Sequence, residues 1–220
     1  MTVNQIHQKL KEYHAAGKTI FVTSSFQTHS IPLLHILSTA NVPFDVLFIN
    51  TGFHFAETVS FRDEVTKLLG LNTIDVRPLV SKINQKDADG QFYFVTDPDY
   101  CCYLNKTQPL EPYLKQYDIW VNGVRADQSA VRKAMKTEQP APFNTLRFHP
   151  MLDWNIKQIY AYKKANQLPE HPLDKKGFVS IGCVPCTQKF DLDDERAARW
   201  FGLNKTECGL HTDLINKSST

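Results

Sequence analysis

Apolar positions near the start of the chain recur at helical spacing: Ile6, Leu10 and Tyr13 share one face and Gly17 follows as a stop, which predicts a first amphipathic helix. Thr19-Ile20-Phe21-Val22-Thr23 is short, β-branched and free of charge, the pattern of a buried strand. A polar stretch, residues 24–30, separates it from Ile31-Pro32-Leu33-Leu34-His35-Ile36-Leu37, which reads as a helix because proline is tolerated in a helix's first turn. The alternation continues. Asp45-Val46-Leu47-Phe48-Ile49 and Thr73-Ile74-Asp75-Val76 read as strands, with a helix between them marked by Phe61, Val65, Leu68 and Leu69 and ended by Gly70. Residues 81–100 are polar and irregular and read as a surface loop, and Ile119-Trp120-Val121-Asn122 is a further strand. Asp153 is expected to cap a helix carrying Ile156, Ile159 and Tyr160.

Strands that alternate with helices require right-handed crossovers, so the predicted fold is α/β: a mainly parallel sheet with helices on both faces. Ligands of such sheets bind beyond the carboxyl ends of the strands. Those ends fall at residues 24–30, 50–52 and 123–127, three polar loops expected to line one crevice. Ser24, Ser25, Thr51, Gly52, Gly123 and Arg125 are therefore candidate ligand contacts. From Asp191 onward the chain is charged and poor in apolar residues apart from Trp200-Phe201, so residues 1–190 read as the folded domain and 191–220 as a mobile tail.

At 220 residues, with 42% hydrophobic and 22% charged content, the chain has the size and composition of one ordinary globular domain. A formal charge of +2 and a pI near 8.2 are too mild for a nucleic-acid surface but leave room for a pocket for small anions. No basic N-terminal region leads into an apolar stretch, and no run of about 18 apolar residues occurs. The expectation is a soluble cytoplasmic protein that engages neither nucleic acid nor membrane.

The five cysteines change this picture most. They form an adjacent pair, Cys101-Cys102, a second pair, Cys183-Val184-Pro185-Cys186, and a lone Cys208. In a reducing compartment they read as ligands and reactive groups rather than a disulfide framework. Two pairs of thiols supply the ligand number of a tetrahedral zinc ion or a cubane iron-sulfur cluster, which leaves Cys208 free for chemistry. Adjacent residues of a helix project about 100° apart, so Cys101 and Cys102 reach one object only if it is broad or the helix is distorted. The spacing alone does not choose between zinc and iron, and burial of Cys101 and Cys102 as small hydrophobes is the plain alternative.

Glu207-Cys208-Gly209-Leu210-His211, preceded by Arg196 and Arg199, resembles the C-terminal signature of the assimilatory adenylyl-sulfate and phosphoadenylyl-sulfate reductases. The Cys-Cys plus Cys-x-x-Cys set resembles the members that carry a 4Fe-4S cluster, most of which use adenylyl sulfate. Asn50-Thr51-Gly52-Phe53-His54-Phe55-Ala56-Glu57-Thr58 is similar to the family's Asp-Thr-Gly segment, and Gly177-Phe178-Val179-Ser180-Ile181-Gly182-Cys183 to its approach to the second cysteine pair. The resemblance runs from about Phe21 to His211.

That resemblance implies a sheet of the adenine-nucleotide alpha-hydrolase kind and one 4Fe-4S cluster on Cys101, Cys102, Cys183 and Cys186. It implies thiol-dependent reduction of adenylyl sulfate to sulfite and AMP, through an S-sulfonate on Cys208. Lys106, four residues beyond Cys102, matches a family lysine between cluster and substrate, and Arg125 and Arg132 resemble its arginine-bearing loop over the nucleotide. Arg196, Arg199 and His211 are further implied substrate contacts. Two departures stand out: residues 24–30 have neither the glycines nor the acid of related first loops, and Asn105 stands where the family carries a basic residue.

A cysteine thiol has an intrinsic pKa of about 8.5, so an attacking Cys208 needs positive charge nearby. Freeing sulfite from it takes two electrons, normally supplied by two thiols. With four sulfurs committed to a cluster, no resolving thiol remains in the chain. An external dithiol protein is required, and thioredoxin is the family expectation; homo-oligomerisation stays open.

Phosphoadenylyl sulfate is the nearest rival substrate, because a non-acidic first loop would repel a 3′-phosphate less. An RNA sulfur-transfer enzyme would need a glycine-rich ATP loop and a basic RNA face, neither clear in the sequence. A non-catalytic zinc module would leave Cys208 incidental. His149 and His171, each before a proline, read as turn residues, while His29 and His54 lie on ligand loops with no chemistry assigned.

Overall fold

A computed structural model describes residues 1–189, 199, 207–211 and 214. Helix α1 (Val3–Ala15) opens with a capping box: Thr2 Oγ1 accepts from the Gln5 amide, and the Gln5 side chain accepts from the Thr2 amide. It buries Ile6, Leu10 and Tyr13, the stripe read from the sequence. β1 (Ile20–Thr23), α2 (Ile31–Ser38), β2 (Asp45–Ile49), α3 (Ala56–Leu69) and β3 (Thr73–Val76) follow as alternating elements, with Gly70 closing α3 in the left-handed conformation. The chain continues through α4 (Tyr93–Thr96) and α5 (Pro98–Cys102), then a π-helical turn, Tyr103–Thr107, and α6 (Gln108–Gln116). β4 (Ile119–Asn122), α7 (Ala130–Lys133), β5 (Glu138–Pro140), β6 (Leu146–Phe148) and α8 (Ile156–Ala165) complete the described elements longer than a 3-10 turn.

The six strands lie in the order β3-β2-β1-β4-β6-β5, every neighbouring pair parallel except β5 with β6. Chain direction across the sheet reverses between β1 and β4, and a crevice opens at such a switch point. Alternate residues of the central strands feed two cores. Val22, Val46, Phe48, Val121 and Phe148 pack beneath α1, α2, α3 and α8, whereas Phe21, Leu47, Val76 and Trp120 pack with Leu110 and Leu114 of α6. Full burial of each such side chain contributes roughly 1.5–3 kcal/mol, which is why these short strands carry almost no polar residues.

The first loop manages without glycine. Phe26 takes φ 52°, a left-handed value unfavourable to a bulky residue, but its ring is fully buried at 5.7 Å from that of Phe48, and this packing offsets the strain.

Several expectations need correcting. Residues 81–100 are not wholly irregular, since α4 and the start of α5 fall within them. Asn155, not Asp153, caps α8 by accepting from Gln158 N at 3.0 Å; Asp153 instead holds the N-terminal amine of Met1. Leu68 is 62% exposed and belongs to the outer face of α3. His149 and His171 do open turns, their carbonyls accepting from Leu152 N at 3.2 Å and Asp174 N at 3.0 Å, and both rings are fully buried. β5 and β6 carry no apolar run to announce them; Pro140 and Glu138 are acceptable because β5 is an edge strand. Among the described residues no helix is long and apolar enough to cross a membrane.

Candidate active site

A crevice of about 210 Å³ opens at the carboxyl ends of β1, β2 and β4. Ser24 and Ser25 line it after β1, Thr51 after β2, and Gly123 and Arg125 after β4; Lys106, Arg132, Arg199 and Cys208 close the other side. Most candidates read from the sequence thus converge. Gly52 does not: it is exposed, at φ 74°, and its role is the turn that aims Thr51 inward. Arg196 and most of residues 191–220 lie outside the described residues, as does the side chain of His211, whose backbone ends the short turn Gly209–His211. The described parts of that stretch are docked, with Glu207 and Leu214 both buried.

The first loop is tied down from behind. Gln27 Oε1 accepts from Ile181 N at 3.0 Å, and Thr28 Oγ1 accepts from His171 N at 2.8 Å. His171 Nδ1 accepts from Leu173 N at 3.2 Å while Nε2 lies 3.0 Å from Thr58 Oγ1, an arrangement that suits the neutral ring. Burial pushes its pKa down to about 4. His171 therefore couples the first loop to α3, a role that its position before Pro172 did not signal.

Sequence reasoning assigns no chemistry to two lining residues, although it places His54 on a ligand loop. Asn122, 3% exposed at the end of β4, has an amide oxygen and nitrogen with no hydrogen-bond partner among the described residues. His54 donates from Nε2 to Ile49 O at 2.9 Å, which leaves Nδ1 a buried acceptor without a partner there. Burial, with Lys106 and Arg199 nearby, holds that ring neutral against its backbone hydrogen bond. Native interiors pair their polar groups, so an unpaired amide and imidazole on a crevice wall are suited to a ligand's donors and acceptors. The available signal was their position beside strand ends.

Beside the crevice, Cys101, Cys102, Cys183 and Cys186 line a small cavity with Phe53, Phe94, Asn105 and Lys106. The first pair closes α5 just before the π turn; the second sits on a 3-10 turn that Val184 N anchors to Phe53 O at 2.7 Å. Thr51 Oγ1 lies 3.4 Å from Cys183 Sγ, Asn105 Nδ2 3.5 Å from Cys101 Sγ, and Lys106 Nζ 3.8 Å from Cys102 Sγ. Burial, reinforced by the charges of Cys102, Cys183 and Cys186, pushes the Cys101 thiol up to about 12, and burial raises Cys186 as well. Four thiols on one small cavity are a donor set that could hold a metal group. Among the described residues no three His, Cys, Asp or Glu side chains close on a single ion.

Lys106 joins the two cavities. Burial works against its charge, but the sulfurs of Cys208, Cys183 and Cys102 outweigh it and hold the ammonium above its ordinary range. Arg199 enters over Gly182, donating from Nη1 to Ile181 O at 3.1 Å; a Cβ on Gly182 would meet the guanidinium at 2.3 Å and push it aside. Arg147 of β6 was missed altogether. Fully buried over the Trp120 ring at 4.2 Å, it donates to Leu210 O at 3.1 Å, and burial together with Arg132 pushes its pKa down to about 10. An arginine in a strand gives no periodic signal of such a role.

Sheet, switch-point crevice and clustered thiols define an α/β protein with the architecture of the nucleotide-binding class and a half-buried cysteine, Cys208, on its crevice. Residues 19–189 match the family model described as the phosphoadenosine phosphosulfate reductase domain, and the chain belongs to that family. The adenosine 5'-phosphosulfate reductase of Rhodococcus erythropolis is 38% identical over 181 residues, 81% of this chain and 73% of the relative. The enzyme of the same name from Halalkalibacterium halodurans is 32% identical over 96% of this chain and 97% of its own. In fold, the chain is similar to the phosphoadenylyl-sulfate reductase of Candida auris, with a TM-score of 0.64 at 21% identity, covering 81% of this chain and 88% of that one.

Proposed function

We propose that this protein reduces adenylyl sulfate to sulfite and AMP, an oxidoreductase of sulfate assimilation with Cys208 as its nucleophile. The observation that carries the reading is the meeting of Cys208, Lys106 and Arg199 on one crevice at the strand ends. The name shared by the relatives supports adenylyl sulfate ahead of its 3′-phosphorylated form.

The adenosine occupies the crevice beyond β1 and β4, where Asn122 offers both a donor and an acceptor. Lys106 and Arg199 meet the sulfonate and phosphate charges, and Lys106 stabilises the Cys208 thiolate. That thiolate attacks the sulfur of the sulfonate; the bond from sulfur to the phosphate oxygen breaks, and AMP leaves with the electron pair. An external dithiol protein, thioredoxin by expectation, then attacks Cys208 Sγ. Sulfite departs with the pair of the broken S–S bond, and the partner's second thiol resolves the mixed disulfide and restores Cys208. Both electrons come from the partner.

Cys101, Cys102, Cys183 and Cys186 would hold a 4Fe-4S cluster. Such a cluster supplies electrostatic and structural support beside Lys106 rather than the electrons for sulfite release. The free thiols and external dithiol fit a reducing cytoplasm.

Mass spectrometry of anaerobically purified protein tests the reading. Adenylyl sulfate without reductant should add the mass of one SO3 to Cys208 and release an equivalent of AMP, and Cys208→Ser should remove both. An unmodified wild type, or an adduct that persists in the variant, would overturn the nucleophile. The same preparation should contain iron and acid-labile sulfide; colourless zinc protein would overturn the cluster.

A further inference from the structure

Glu207 sits in the segment that the sequence marks for its cysteine, yet nothing in the proposed chemistry uses it. It is 5% exposed, and a carboxylate so buried requires a partner. That partner is Arg132, itself 7% exposed. Arg132 Nε donates to Glu207 Oε1 at 3.0 Å and Nη2 to Oε2 at 3.2 Å, a two-pronged pair. Ser129 Oγ donates to Oε1 at 2.9 Å, and the Cys208 amide reaches Oε2 at 3.3 Å. Arg132 Nη1 is engaged by Gln128 Oε1. The arginine expected to hold the nucleotide is thus committed through all three nitrogens to protein oxygens.

The arrangement brackets the nucleophile. Arg132 grips the residue before Cys208, and Arg147 grips the carbonyl of Leu210, two residues after it. Ser129 sits at the start of α7, where its Oγ also accepts from Arg132 N at 3.3 Å, so one short element carries both contacts to Glu207. The Glu207–Arg132 pair adds no net charge to the crevice, and Arg125 is paired in the same way, its Nε donating to Asp127 Oδ1 at 2.9 Å.

We infer that Glu207 is a positioning residue: clasped by Arg132 and Ser129, it latches Cys208 over the crevice for attack, and Arg132 acts through this latch rather than on the substrate. The inference rests on the proposed function for its catalytic consequence, but the latch is testable without substrate. Glu207→Gln and Arg132→Gln each leave one buried partner of the pair uncompensated, whereas the double variant leaves two neutral amides able to bond each other.

The expected result is a pair of opposite changes in each single variant. Cys208 should react with iodoacetamide about 10-fold faster in the absence of nucleotide, since the segment is released. S-sulfonation at saturating adenylyl sulfate should slow about 100-fold with KM within roughly 3-fold, since a misplaced nucleophile loses rate rather than affinity. The double variant should recover part of both changes. Thermal unfolding and circular dichroism confirm that each variant is folded; should the single variants fail to fold, the double variant carries the comparison against wild type. Unchanged alkylation in folded single variants, or a loss confined to KM, would overturn the latch. If wild-type protein takes up no sulfonate, the proposed function fails while the alkylation rates still decide the latch.

Discussion

The two walls of the crevice are built on different principles. One wall is the sheet: the ends of β1, β2 and β4, locked by parallel ladders and by apolar cores on both faces. The other is assembled from the π turn, the second cysteine pair, Arg199 and Glu207–His211, held by individual side-chain contacts such as Glu207 on Arg132 and Lys106 beside Cys102. A wall made of backbone ladders keeps its shape when one side chain changes, whereas a wall made of a few charged contacts does not. Substitutions in the first should register mainly as stability, and in the second mainly as turnover.

Lys106→Gln is the strongest way to break this contrast. Removing the ammonium that lines both cavities should lower kcat about 100-fold by stopped assays of sulfite release, with little change in the urea midpoint. A variant that instead unfolds early while turning over normally would mean that the second wall is structural after all. Gly182→Ala should act more gently: the added Cβ displaces the Arg199 guanidinium and lowers kcat/KM about 10-fold. An unchanged kcat/KM would show that Arg199 contacts no reacting group.

The smallest effect probes the sheet behind the first wall through pH. Burial holds His149, just past β6, neutral, with its pKa pushed down from 6.5 to about 4. The unfolded chain takes up this proton near pH 6.5 and the folded one only near 4, so the stabilising contribution is fully present above 6.5 and is lost as pH falls through that window. Urea unfolding at pH 7.5 and 5.5 should reveal a loss of about 1 kcal/mol from this residue, which His149→Gln removes. A pH response unaltered in the variant would exclude His149 as its source.

Much of the first wall was legible in the sequence because it is made of periodic signals. Thr19–Thr23, Asp45–Ile49 and Ile119–Asn122 are apolar runs bounded by polar loops, and strand ends then place Ser24, Thr51 and Arg125 on one crevice. β5 and β6 were illegible since an edge hairpin beside a buried strand needs no hydrophobic alternation. In the second wall the cysteine pairs stand out in the sequence by their spacing, and the structure gathers all four on one cavity. Arg147, Glu207 and His171 could not be read, because their contacts join residues 63, 75 and 143 positions apart, and no local pattern encodes such a pairing. Asn122 was hidden in plain view as the last residue of a strand.

The π turn has a consequence for how this protein tolerates insertions and deletions. Tyr103–Thr107 lies in a continuous helical path from Cys102 to α6, and a π turn accommodates one residue more than the α-helical path needs. Removing one residue other than Lys106 from it would let the path relax to ordinary α geometry, with the flanking helices near their present orientation and the residues of the turn itself repositioned. Lys106 would then leave one of its two cavities even though every remaining residue was unchanged. The length of this segment is as much a determinant of the site as its composition.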